Sequence, residues 1–135
     1  LLLIQIMKNY QTIKTVGEHS NCESANAKLD EQKPDLILVD ASSSSKSVYD
    51  FVKSVRQKNS QTKIIFFSSG MSDRQLEKAL KIGVSGFISK IEPISGILNA
   101  ISQVQNGHKY FSQDIQKRLI SQKAYDPKDD CYMTR

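Results

Sequence analysis

Three short segments constrain the fold of this chain more than any other feature of its sequence. Residues 36–39 and 64–67 are continuously apolar, which is typical of strands buried on both faces of a parallel sheet. Residues 86–89, Gly-Phe-Ile-Ser, predict the last strand. Apolar residues at helical spacing fill the intervals, at positions 48, 51, 52 and 55, then 76, 79 and 80, then 94, 97, 98, 101 and 104. This alternation predicts an α/β fold, a doubly wound parallel sheet with helices on both faces.

Capping residues predict where several of these helices begin and end. Asn21 is a suitable N-cap for a helix through Leu29. Ser72 and Gln75 have the spacing of a capping box. Gly83 stands where a helix commonly ends on a left-handed residue. These positions predict helices over about 22–29 and 73–82.

Both ends of the chain carry further predicted elements. Residues 3–10 have helical spacing and residues 13–16 predict a short strand. Pro93 begins a helix that Gly107 ends. A short helix from Ser112 uses apolar positions 115, 119 and 120, and a charged linker follows at 125–130. We expect one domain over residues 1–111, then an extra helix and linker over 112–135.

Composition excludes several classes of protein. No apolar run approaches the roughly 20 residues that span a bilayer, and the apolar start resembles no signal peptide, so we expect a cytoplasmic protein. Cys22 and Cys131 lie far apart and form no zinc pattern with the two histidines, so we expect free thiols. The net charge of +5 comes from dispersed basic residues, which does not favour direct nucleic-acid binding.

A carboxylate, a hydroxyl and an ammonium group stand at the ends of three successive predicted strands. These are Asp40, Ser68 and Lys90. Parallel strands place their carboxyl ends at one edge of the sheet, where such folds bind ligands. A carboxylate beside an ammonium can act as a nucleophile toward a phosphoryl group, whose charge the lysine neutralises. Each residue alone is more often an ordinary polar strand end, and only the combination of the three favours a site.

Five segments together resemble those of a known family. They are TVGE at 15–18, KPDLILVD at 33–40, KIIFFSSG at 63–70, ALKIGVSGFISK at 79–90 and ILNAISQVQNGHKYFS at 97–112. In this order and spacing, they resemble the receiver domain of bacterial two-component response regulators that carry a LuxR-type (NarL-type) DNA-binding domain. The resemblance covers about three quarters of the chain. It implies the CheY-like, flavodoxin-like fold.

The resemblance also implies roles for four residues. Asp40 matches the aspartate that accepts phosphate from a histidine kinase and contributes to a Mg2+ site. Ser68 matches the switch hydroxyl and Lys90 the phosphate-binding lysine. Phe87 matches the aromatic switch, although a core role explains it equally well. A receiver of this type is not an enzyme beyond its own phosphorylation, is expected to form a homodimer, and reaches DNA only through a C-terminal domain outside residues 1–135.

The sequence departs from the family at the metal-binding residues. No residues match the acidic pair at the end of the family's first strand, because Leu2 aligns within the first helix. We expect upstream residues or another chain to supply that strand, since the sheet would otherwise expose its edges. Natural divergence is the alternative. It would make the chain a pseudo-receiver, a protein-interaction module that works without phosphorylation.

Two further departures bear on the site. Ser42–Ser45 replace the residues that usually follow the aspartate, and they predict a flexible, solvated loop. Ile91 and Glu92 separate Lys90 from Pro93, so no Lys-Pro bond is present. A small flavodoxin-like hydrolase is a third interpretation. It is weaker because no histidine or cysteine stands at a strand end.

Overall fold

The computed structural model describes residues 17, 21–41, 46–59, 61–69 and 72–123. The helix predicted at residues 3–10, the strand at 13–16, the serine loop at 42–45 and the linker at 125–130 lie outside these ranges. Within them, no helix combines the length and the apolar composition needed to cross a bilayer.

Helices and strands alternate along the described part of the chain. The elements are α1 (Cys22–Gln32), β1 (Leu36–Asp40), α2 (Lys46–Lys58), β2 (Lys63–Ser68), α3 (Asp73–Lys81), β3 (Gly86–Ser89), α4 (Ile94–Gln105), β4 (Tyr110–Phe111) and α5 (Gln113–Lys123). The strands form a sheet in the order β1-β2-β3-β4, and every pair is parallel. The predicted α/β fold with a parallel sheet is therefore confirmed.

Residues 86–89 form a strand as predicted, but this strand is not the last one. Tyr110 and Phe111 pair with Gly86 and Phe87 as a two-residue strand. The amide of Tyr110 donates to the carbonyl of Ser85 at 3.2 Å, which starts this pairing. A Cβ atom at Gly86 would lie 3.2 Å from the carbonyl oxygen of Tyr110, so glycine permits the close approach of the two strands.

Each face of the sheet carries its own apolar core, because successive residues of a strand point to opposite faces. Residues of α2, α3 and α5 pack on one face, around Val39, Val52, Phe66, Leu76, Phe87 and Ile115. Residues of α4 pack on the other face, around Ile65, Ile88, Ile97, Ala100, Ile101 and Val104. Helices thus cover both faces, as the sequence predicts.

Most of the predicted helix ends are confirmed. The side chain of Asn21 accepts a hydrogen bond from the amide of Ser24 at 2.8 Å, and Ser72 forms the complete capping box with Gln75. Gly83 and Gly107 both have positive φ, 87° and 91° respectively.

Two details of the predicted helices are wrong. Helix α1 continues beyond Leu29 to Gln32 and ends on Lys33, whose φ of 44° lets its amide donate to the carbonyl of Leu29 at 2.9 Å. Asp30, Glu31 and Gln32 can all continue a helix, so nothing in the sequence requires α1 to end at Leu29. In α5, Ile115 is buried as predicted, whereas Ile120 is 65% exposed.

Cys22 is a free thiol, as predicted, and it lies half-buried beside the first core. Burial raises the pKa of this thiol above its usual value. A thiol that stays protonated is a poor nucleophile, which suits a packing role for Cys22. Cys131 lies outside the described residues.

Arg56 joins two loops that lead into neighbouring strands. Its guanidinium donates to the carbonyl of Thr62, just before β2, and to the carbonyl of Gly83 at 2.7 Å, just before β3. Thr62 is buried. The rigid fork of an arginine suits two such acceptors at once. This contact fixes the amino-terminal edge of the sheet opposite the predicted site.

Replacing Arg56 with methionine is expected to lower the free energy of unfolding by about 1–3 kcal/mol, because two carbonyl groups lose a charged donor. Urea denaturation followed by circular dichroism measures this change. Lys58→Met on the same helix is the matched control, since Lys58 makes only an exposed 3.8 Å ion pair with Asp30. That control should stay within about 0.5 kcal/mol of the unchanged chain. Equal losses in the two variants would contradict the role of Arg56.

Candidate functional site

The three predicted site residues lie at one edge of the sheet. Asp40, the last residue of β1, pairs in register with Phe67. Ser68, the last residue of β2, pairs with Ser89, and the amide of Lys90 donates to the carbonyl of Ser68 at 2.9 Å. The main chain therefore brings the ends of β1, β2 and β3 side by side.

Asp40 and Lys90 are in direct contact. The Nζ atom of Lys90 donates to the Oδ2 atom of Asp40 at 2.9 Å. The Asp40 side chain is 63% exposed and that of Lys90 is 32% exposed. The ammonium also lies 5.7 Å from the centre of the Phe67 ring, close enough for a cation–π contact. A solvent-accessible carboxylate thus stands beside a cation whose position is set by two neighbours.

Ser68 is more deeply placed than the ion pair. Only 3% of the residue is exposed. Side chains alternate along a strand, so Ser68 lies on the same face as Phe66 and on the opposite face from Phe67. Its hydroxyl is therefore at the sheet edge, but on the side covered by α2, α3 and α5.

Phe87 belongs to the core in this structure. It is 1% exposed, and its ring packs edge to face against Phe66 with the centroids 6.1 Å apart. Phe66 makes a similar contact with Tyr49 at 6.3 Å. Such pairs add to the stability that burial alone provides. The inward position fits both the core role of Phe87 and the resting position of a switch residue.

The described residues do not make up a magnesium site by themselves. They contain no group of three His, Cys, Asp or Glu side chains that could hold a metal ion. Mg2+ requires oxygen ligands in a nearly octahedral arrangement, and Asp40 offers one carboxylate toward it.

Comparison with known proteins agrees with the observed fold. A profile of the family described as "Response regulator receiver domain" matches residues 2–102. The chain belongs to the response regulator receiver domain family. Its relatives include the response regulator protein VraR of Staphylococcus epidermidis, which is 27% identical over 109 residues, 81% of this chain and 52% of the relative. The receiver chain spans about half the length of the curated relatives it matches.

Solved structures show the same fold at low sequence identity. A LuxR-family two-component response regulator from Aurantimonas sp. matches with a TM-score of 0.80 and 19% identity, over 89% of this chain and 86% of that chain. The isolated receiver domain of RcsB from Salmonella enterica serovar Typhimurium, solved with the phosphomimetic BeF3-, matches with a TM-score of 0.75 and 14% identity, over 86% of each chain. Both support the CheY-like fold of this receiver domain.

Two contacts near the site were not predicted from the sequence. Ser112 is fully buried, and its hydroxyl accepts from the amide of Ser89 at 3.1 Å. Arg118 of α5 pairs with Asp73 of α3 at 2.7 Å. Serine and surface charges are common in this chain, so neither residue had a pattern that distinguished it. The first contact joins the residue before α5 to β3, which directly precedes Lys90, and the second joins α5 to α3, which follows the loop after Ser68.

Asp40→Asn is expected to change the free energy of unfolding by no more than about 1 kcal/mol, because the pair it makes with Lys90 is largely exposed. Ile64→Ala, at a fully buried position of β2, should cost about 2–5 kcal/mol. Urea denaturation of the two variants measures both values. If Asp40→Asn were as destabilising as Ile64→Ala, Asp40 would be a structural residue rather than an accessible site.

Proposed function

We propose that this receiver domain is a cytoplasmic signalling module that accepts a phosphoryl group from a histidine kinase on Asp40. Support comes chiefly from one observation, the 2.9 Å contact between an exposed carboxylate and the Lys90 ammonium at the carboxyl edge of the sheet. Receiver domains interact with histidine kinases. The phosphorylated histidine of such a kinase has to reach the acceptor carboxylate, and the Asp40 carboxylate is accessible.

The proposed step is a direct phosphoryl transfer. A carboxylate oxygen of Asp40 forms a bond to phosphorus while the bond between phosphorus and the donor's imidazole nitrogen breaks. The imidazole nitrogen keeps the electron pair of that bond and later takes a proton from water. Lys90, already beside Asp40, would neutralise charge on the acyl phosphate that results. The chain needs no further nucleophile or base for this step.

Ser68 and Phe87 are proposed to transmit the modification. The hydroxyl of Ser68 lies at the same edge, and a hydrogen bond to a new phosphoryl oxygen would draw the start of the β2–α3 loop toward Asp40. Phe87 shares the covered face with Ser68 and would change its side-chain position as that loop moves. In this way, a change of charge at Asp40 would alter the structure of a larger part of the domain.

The proposed output lies beyond this domain. We propose a receiver domain over residues 1–111 and a connecting segment over 112–135, which leads to a C-terminal DNA-binding domain in the parent protein. The relatives' greater length supports a further domain, since this chain covers 52% of the S. epidermidis VraR sequence. A homodimer is the proposed active form. One RcsB structure contains two dimers bound to two parallel DNAs.

We also propose that Asp40 contributes to a Mg2+ site. Receiver domains generally bind Mg2+ at the phosphorylation site. In this chain Asp40 would contribute one oxygen ligand, and the described residues do not complete the site. No chemical step above therefore depends on the ion.

A second candidate function is a pseudo-receiver that binds partner proteins without being phosphorylated. The specific observation in its favour is that the described residues lack a cluster of metal-binding carboxylates. In this case the Asp40–Lys90 pair would serve only to join the ends of β1 and β3. The two functions differ in whether a phosphoryl analogue changes the domain.

Beryllofluoride with Mg2+ is expected to shift the backbone amide NMR signals of Ser68, Phe87 and Lys90 and to increase the dimer fraction in size-exclusion chromatography with light scattering. Asp40→Asn should abolish both responses because it removes the carboxylate that the analogue binds. Asp50→Asn, an exposed acid on α2, is the matched control and should respond like the unchanged chain. A response retained in Asp40→Asn would contradict the proposed acceptor, and no response in any form would favour the pseudo-receiver.

A further inference from the structure

Helix α5 packs on the face of the sheet that contains Phe87. Ile115 of α5 is 4% exposed and belongs to the same core as Phe87, Phe66 and Leu76. Phe111, just before α5, pairs with Phe87 in the sheet and packs against this core. A phenylalanine ring leaving this core on that side would have to displace the start of α5. The helix is therefore a cover over the proposed switch residue.

Ser112, the residue just before α5, is anchored to β3 on both sides of Ile88. The amide of Ser112 donates to the carbonyl of Phe87 at 3.1 Å, and the hydroxyl of Ser112 accepts from the amide of Ser89 at 3.1 Å. The same hydroxyl donates to Asp114 at 2.9 Å. Ser89 directly precedes Lys90. The start of α5 is thus tied to the strand that directly precedes Lys90.

The middle of α5 is held by a contact to a different element. The Nε and Nη2 atoms of Arg118 both donate to the Oδ1 atom of Asp73, at 2.9 and 2.7 Å. Asp73 is the first residue of α3, the helix that follows the loop after Ser68. The Arg118 side chain is 32% exposed and that of Asp73 60%. This pair connects α5 to the element that Ser68 would move.

We propose that α5 is a latch over the Phe87 face, closed by the Arg118–Asp73 pair, and that its docking opposes phosphorylation of Asp40. The inference rests on the proposed function of Asp40. In this proposal, movement of the loop after Ser68 shifts the start of α3 and so lengthens the contact between Asp73 and Arg118. Coupling between two events is reciprocal, so weakening the latch must favour the phosphorylated state by the same factor.

The closed state has two attachments of different kinds. The hydrogen bonds at Ser112 are buried and join α5 to a strand, whereas the Arg118–Asp73 pair is partly exposed and joins α5 to a helix that follows the site. An exposed ion pair contributes little energy and is easily broken. The latch therefore opens at Arg118 while the helix stays attached at Ser112.

Arg118→Gln tests the latch in the full-length protein with two independent measurements. Hydrogen exchange without any analogue should be about threefold to tenfold faster in residues 113–123 than in the unchanged chain, because the helix opens more often. A beryllofluoride titration followed by NMR should show an apparent affinity about twofold to fivefold higher, which is the size expected for one exposed ion pair. Lys117→Gln, on the same helix, removes equal charge without touching Asp73 and should match the unchanged chain in both measurements.

A double variant shows whether Arg118 acts through Asp73. Asp73→Asn combined with Arg118→Gln should exchange no faster in α5 than Arg118→Gln alone, since contacting residues are not additive. Additive effects would overturn the pairing. An unchanged exchange rate in Arg118→Gln would also overturn the pairing.

The outcomes also separate the latch from the proposed function. Faster exchange with an unchanged beryllofluoride affinity would overturn the coupling while leaving Asp40 as the acceptor. If the unchanged chain fails to bind the analogue at all, the proposed function and the coupling both fail. In that case exchange still decides whether the Arg118–Asp73 contact holds α5 in place.

Discussion

The parallel pairing of β1, β2 and β3 is the constraint on which the rest of this receiver domain depends. Its register runs from Leu36 opposite Lys63 to Asp40 opposite Phe67, and it continues to Ser68 opposite Ser89. All three strands therefore end together. A slip of one residue between strands would move every side chain to the other face of the sheet. It would separate Ser68 from the face that contains Phe87.

The same pairing separates a buried core from strand ends that solvent can reach. Ile64, Ile65 and Phe66 are fully buried, and they precede a strand end whose neighbours Asp40 and Lys90 reach solvent. Close-packed interiors resist small displacements, so the edge residues start from a well-defined position.

Much of this arrangement can be predicted from the sequence because it depends on local patterns of residues. Continuous apolar runs predicted β1 and β2, the Ser72 and Gln75 pair predicted the start of α3, and polar strand ends predicted that Asp40 and Lys90 would meet. Strand β4 was missed because two residues have no periodicity. The Arg118–Asp73 pair was missed because it joins surface charges distant in sequence, and only the packing of α5 through Ile115 brings them together. Ile120 is exposed for a similar reason, because tertiary contacts rather than the local pattern decide which face of α5 is buried.

The central claim, that Asp40 is the phosphoryl acceptor, can be tested most directly by locating the modified atom. The full-length protein would be incubated with acetyl phosphate and Mg2+, treated with sodium borohydride, and digested for tandem mass spectrometry. Borohydride reduces an acyl phosphate to an alcohol and leaves a free carboxylate unchanged, so a phosphorylated aspartate becomes homoserine. The account predicts homoserine at position 40 and at no other aspartate. Homoserine at a different position, or unreduced Asp40 in a chain that has taken up phosphate, would contradict it.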